Sequence, residues 1–213
     1  MTAVASAVDW ILSSLESSLL EPARKAAIQQ EAVRIARGAT SLTVDVPSKR
    51  HVSLCAAVLA AVEGLTRQLG NRPDALAAVG DALVRASEAG AAEYVEERLG
   101  VELDNPDVRA AFDAIKRNFI QRGELRFGEA FRYACEQNDE MQYTARIETC
   151  LFDAFFRQVD ADDLTPLICR LDIVWADELV RRFPTLQFDR PTTLADGNDA
   201  CRFRFTQDPM GRS

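Results

Sequence analysis

Cys169 and Asp172 are three residues apart and carry the side chains in this chain best suited to chemistry. A thiolate is a nucleophile or a soft metal ligand, and a neighbouring carboxylate can move protons. On a helix that spacing puts both on one surface. Ile168, Leu171 and Trp175 border it. A carboxylate there must be paired, hydrogen-bonded, or raised in pKa by desolvation. The plainer reading is an inert core cysteine, with the aspartate bound to local backbone or to Arg170. Cys150 repeats the spacing with Asp153 and stands where a strand gives way to a helix. A helix start lowers a thiol's pKa, although the phenylalanines just beyond also suit core packing. Cys201 shares a strand face with Phe203 and Phe205.

If Cys150, Cys169 and Cys201 converge with Asp172, three thiolates and one carboxylate make a tetrahedral zinc site. The wide gaps between them are unlike paired Cys-x-x-Cys spacing. Cys55 and Cys135 sit in apolar patterns and read as core. The single histidine, His51, reads as a surface residue at a helix start. A Ser-His-Asp triad would have to use it, and a multi-histidine metal site is excluded. Asp160 to Asp163 lack the alternating ligand order of a calcium loop and read as a solvated helix entrance.

The chain has 213 residues, 47% of them hydrophobic, and a net charge of -8. The acidic balance argues against nucleic acid and against anionic lipid. No basic leader precedes the N-terminal apolar residues, and no uninterrupted apolar run reaches membrane-span length. A cytoplasmic protein with reduced thiols and a small-molecule substrate is expected. An exposed apolar face on the N-terminal helices would suit a homodimer.

Helical spacing covers residues 6 to 20 through Trp10, Ile11, Leu15 and Leu19, and a second helix runs from Pro22 toward Gly38. Residues 40 to 49 read as a short strand or extended connector ended by Pro47. Helices then run from about His51 to Leu69, from Asn71 to Leu99, and from Asn105-Pro106 to about Ile120. After Gly123 the period changes. Phe131, Tyr133 and Cys135 alternate, Asn138-Asp139-Glu140 turns, and Tyr143, Ala145 and Ile147 return. Helical spacing resumes from Cys150 to Val159 and from Pro166 to Phe183. Two final strands follow, LQFDRPTTL and ACRFRFTQ.

The expected fold is α+β in a single domain, 1–213. A helical subregion, 1–122, packs on a four-stranded antiparallel sheet of β-β-α-α-β-β order in 123–213, which carries the site.

The C-terminal segment resembles the L-2-amino-thiazoline-4-carboxylate hydrolase family. Its pattern is matched by Cys150; by Cys169 and Asp172; by Arg190, Thr193, Leu194 and Gly197; and by Cys201, Phe203 and Arg204. The likeness covers roughly 128 to 207. It implies a hydrolase that opens a cyclic amidine such as a thiazoline by adding water at the ring carbon between nitrogen and sulfur, giving an N-carbamoyl amino acid. Cys169 would be nucleophile or metal ligand and Asp172 the acid/base. Cys150 and Cys201 would share the pocket, and Arg190, Arg204 or Trp175 would hold substrate. Zinc on the cysteines is the competing chemistry. Cysteine-bearing tails of 4-vinyl-reductase-type domains are also similar, which implies a ligand-sensing module without turnover. A pathway enzyme that forms or rearranges a heterocycle on the same fold is a third reading.

Overall fold

The computed structural model describes residues 3–15, 22–105 and 107–207, with the side chains of 120–126 excepted. Leu19 and Pro106 lie outside the described residues. The chain forms two compact units, Met1–Ser87 with Leu151–Leu171, and Glu88–Cys150 with Asp172–Ser213.

The first unit is helical: α1 (Ala3–Ser13), α2 (Pro22–Gly38), α3 (Val46–Leu69), α4 (Arg72–Glu88), α7 (Leu151–Gln158) and α8 (Thr165–Leu171). Its centre is α3, which packs against α1, α2 and α7. Cys55, Ala56, Ala57, Val58, Ala60 and Ala61 are fully buried along it. By length and composition α3 could cross a membrane, but 67% of its most apolar window is buried inside the protein. It is the core helix of this unit.

α3 begins where an extended connector was expected. The Asp45 carboxylate accepts the Ser48 N–H at 2.7 Å, and the Ser48 hydroxyl accepts the Asp45 N–H at 2.8 Å. Pro47 lies in the first turn, where a missing N–H costs nothing, so it opens this helix and ends no element. His51 is therefore well inside α3. Asp45→Ala is expected to lower the unfolding free energy by about 1 kcal/mol. Denaturant unfolding reads this as a lower midpoint at constant slope, and an unmoved midpoint would show the cap to be inert. Gly70 ends the helix at φ 77, a left-handed conformation that glycine adopts without a Cβ penalty.

The second unit holds a short helix, α5 (Ala91–Glu93), which continues as a π-helical turn, Tyr94–Leu99. It also holds α6 (Val108–Phe127), α9 (Val174–Arg182), and strands β1 (Arg132–Asn138), β2 (Gln142–Thr149), β3 (Leu186–Asp189) and β4 (Cys201–Gln207). The strands make one antiparallel sheet of order β1-β2-β4-β3. The fold is α+β as expected. Cys201, Phe203 and Phe205 alternate into the core with Tyr143 and Ala145 of β2, because the side-chain period of a strand is two. α6 contacts β4, and α9 contacts β3.

Several boundaries differ from the sequence expectation. The helix expected from Asn71 to Leu99 breaks at Ala89 and Gly90. Asp107 caps α6 through the N–H groups of Arg109 and Ala110, and the helix continues through Gly123 to Phe127. The helix expected from Pro166 to Phe183 is two helices, α8 and α9, parted by a turn at Asp172 and Ile173. Cys135 is exposed, not core. It stands opposite the buried Ala145, on the face that alternation assigns, but β1 is the edge strand of the sheet, and there Cys135 is left open to solvent.

Candidate functional site

Cys169 occupies the last turn of α8 in the first unit and is half-buried. Its neighbour Ile168 is buried, and Arg170 is exposed with its guanidinium 3.6 Å from Asp81. The helix stops at Leu171, so Asp172 stands beyond it, half-buried, at the start of the second unit's second segment. Helical spacing therefore does not pair them. Chain length still bounds their separation, since three extended residues span at most about 10–11 Å.

Cys150 directly precedes α7 and is half-buried. Asp153, its partner in the repeated spacing, accepts from Arg157 Nε at 2.8 Å across one helical turn. That carboxylate is engaged in a local ion pair.

Cys201 is the most enclosed of the candidate thiols, at 3% exposure. Its sulfur accepts the Leu194 N–H at 3.2 Å. A short 3-10 turn, Leu194–Asp196, positions that donor. The Thr193 hydroxyl accepts the Asp196 N–H and Gly197 closes the turn at φ 81. Thr192 ties the loop back to β4, its hydroxyl donating to the Ala200 carbonyl at 2.9 Å and its carbonyl accepting the Arg202 N–H at 3.1 Å. The Arg-x-x-Thr-Leu-x-x-Gly segment thus has a geometric function: it aims a backbone donor at Cys201. That contact was not anticipated. The polar caps around a threonine-glycine turn next to a cysteine-initiated strand were the available signal.

Arg190 reaches the same inner face. Its guanidinium carbon lies 4.5 Å from the centre of the Phe203 ring, in cation–π geometry. Phe203 is two residues along the strand from Cys201, on the same face. Trp175 is 7% exposed and packs among Phe119, Phe188 and Phe205, with the Phe205 ring centre 5.6 Å away. Arg204 faces the other side of the sheet, where Asp189 grips it through both carboxylate oxygens and raises its pKa. A substrate carboxylate on Arg204 would have to displace Asp189.

The outer face around Arg204 is a run of ion pairs. Arg146 and Arg202 sit directly opposite each other on β2 and β4, an arrangement of like charges that destabilises a sheet. Asp199 offsets it by bonding both, at 3.0 Å to Arg146 and 2.9 Å to Arg202. Hydrogen bonding to Arg202 is the first cause that lowers the Asp199 pKa. Asp177 on α9 is pushed upward, by burial first and then by the charge of Glu88. Yet the residue is exposed, and solvent screening weakens both effects, so it carries no role here.

His51 is half-buried, not on the surface, and its ring meets Phe152 edge-on at 5.2 Å. Cys55 is buried within α3. Asp163 is bound by Arg72 at 2.6 Å, at the 3-10 turn that leads into α8. None of the five cysteines is in a disulfide. Among the described residues no group of three or more His, Cys, Asp or Glu side chains is placed to hold a metal ion.

The sequence matches the family model described as L-2-amino-thiazoline-4-carboxylic acid hydrolase over residues 50–205. No curated protein matches the chain. Among solved structures, the Fe(II) unliganded H-NOX protein from K. algicida is similar at a TM-score of 0.39 and 8% identity, covering 84% of this chain and 86% of that one. An alanine-to-glycine mutant of it is similar at 0.43 and 9%, covering 99% and 98%. Likeness at that level carries no argument about function.

Proposed function

This chain belongs to the L-2-amino-thiazoline-4-carboxylic acid hydrolase family, and on that premise we propose that it hydrolyses a small cyclic amidine carrying a carboxylate to an N-carbamoyl amino acid. The observation that carries the reading is the family match over residues 50–205, a span that includes all four candidate reacting residues, Cys150, Cys169, Asp172 and Cys201.

In the proposed reaction the Cys169 thiolate adds to the ring carbon between nitrogen and sulfur. The ring carbon–sulfur bond then breaks, and the departing ring sulfur takes a proton from the Asp172 carboxylic acid. Water attacks the resulting S-linked isothiourea, gives one proton to Asp172 and the other to the isothiourea nitrogen, and expels the Cys169 thiolate. The ring has opened with one water added, and both protein groups are restored. The half-buried position of each suits this work, since each is partly desolvated yet reachable. Arg190 is the substrate carboxylate's partner, because a guanidinium fork matches a carboxylate. Cys201 holds a structural hydrogen bond to the loop that follows Arg190, and Cys150 is the second half-buried thiol.

The test is direct. Purified protein is incubated with L-2-amino-thiazoline-4-carboxylate and related cyclic amidines, and products are read by mass spectrometry. A product heavier by one water, with a new thiol, is expected. Unchanged substrate across the whole set would refute the reading. A mass equal to the substrate's but a different retention time would indicate a heterocycle-rearranging enzyme instead.

A further inference from the structure

The first unit contains a groove that the reaction above does not use. α2 and α3 approach so closely that a Cβ at Gly64 would lie 2.7 Å from Ile28 Cγ1. Beside that contact the two helices leave a cavity of about 310 Å3, at the lower end of small-molecule sites. Ala23, Ala27 and Ile28 from α2 face Gly64 from α3 and give it apolar walls.

Its charged groups are of one sign. Arg24 and Arg67 both line it. Among the described residues neither forms an ion pair, whereas Arg34, Arg72, Arg157, Arg202 and Arg204 each hold a carboxylate. Glu31 feels the charge of Arg67 but is itself bound by Arg34. The third polar group is Gln68, whose Oε1 is buried and has no hydrogen-bond donor. A buried acceptor left unpaired is costly, and such groups call for a partner. Arg67 and Gln68 lie one helical turn after Gly64 on α3, at i+3 and i+4, which is why the three share the groove. In a chain of net charge -8, two unengaged arginines around an apolar cleft complement an anion.

We propose that the α2–α3 groove binds a small organic carboxylate that also bears an N–H donor. The carboxylate lies on Arg24 and Arg67, the N–H donates to Gln68 Oε1, and the body of the molecule rests on Ile28 and Gly64. N-carbamoyl amino acids have this chemistry. Choosing them as the ligand class rests on the reaction proposed above, which releases them, and makes the groove a product-sensing site.

The experiment is calorimetric titration of the full chain with N-carbamoylglycine, beside its neutral amide. The wild type is expected to bind the acid and not the amide. Arg24→Gln and Arg67→Gln should each weaken binding about tenfold or more, the usual loss for a charged hydrogen bond. Arg67→Lys should recover only part, because it keeps the charge but not the planar fork. Gln68→Leu should weaken binding with an unchanged thermal melt. Cys169→Ser should bind like the wild type, which separates this site from the reacting thiol. Equal binding by the Arg24→Gln/Arg67→Gln double variant, or no binding by the wild type, overturns the proposal. Absence of turnover alongside intact, arginine-dependent binding would instead sink the reaction and leave the groove standing.

Discussion

Cys169→Ser is expected to lower turnover of a cyclic amidine on the order of a thousandfold or more while leaving the melting profile unchanged. Serine is nearly isosteric with cysteine, but its hydroxyl does not ionise near neutral pH, so the adduct at the ring carbon would not form at a useful rate. Cys169 is half-buried, in the last turn of α8. Asp172→Asn should cost about 10²–10⁴-fold, the range for loss of a general acid/base, and should also flatten one limb of the pH–rate profile. Steady-state kinetics across pH on both variants would check this. Full turnover by Cys169→Ser would remove the nucleophile assignment. If Cys150→Ser were dead in the same assay, the role would pass to the thiol before α7.

The second large effect concerns stability. Phe205 is fully buried on β4, its ring centre 4.9 Å from Phe188, 5.6 Å from Trp175 and 6.3 Å from Phe119. Phe205→Ala should cost about 3–5 kcal/mol, through lost transfer energy and the cavity left behind. Against a total stability of about 5–15 kcal/mol that is a large share. Urea unfolding followed by tryptophan fluorescence reads it, and Phe205→Leu should lose much less because most of the volume remains. A loss under about 1 kcal/mol for the alanine variant would mean that the ring cluster collapses freely around the gap. The same cluster carries Phe203, on which Arg190 rests, so Phe205→Ala should also raise KM before it unfolds the protein.

The sheet was legible because its signal is local. Strict alternation at 201–207 and 143–147 can be satisfied only by a half-buried strand, and those residues fill the inner face. Two misreadings came from competing local cues. Pro47 by itself reads as a terminator, whereas the reciprocal pairing of Asp45 with Ser48 makes it a first-turn residue. Apolar spacing runs through Leu171, Val174, Trp175 and Leu179 without interruption, so nothing in the pattern marks the turn at Asp172 and Ile173. Cys135 failed for a third reason. Alternation says which face a residue takes, but not whether its strand lies at the edge of the sheet. The contact between Cys201 and the Leu194 N–H depends on how a whole loop closes, and no periodicity encodes it.

The packing of α3 has a consequence for synthesis. Its contacts with α1 and α2 come from residues made before it, but its partner α7 starts at Leu151, far downstream of Leu69. At about 5–20 residues per second, a ribosome needs several seconds to translate that interval. Throughout it, the one helix among the described residues long and apolar enough to cross a membrane has the face that α7 later covers still wet. A cell that makes this protein must shield that face during translation, so co-translational chaperones should be found on nascent chains that end between α3 and α7.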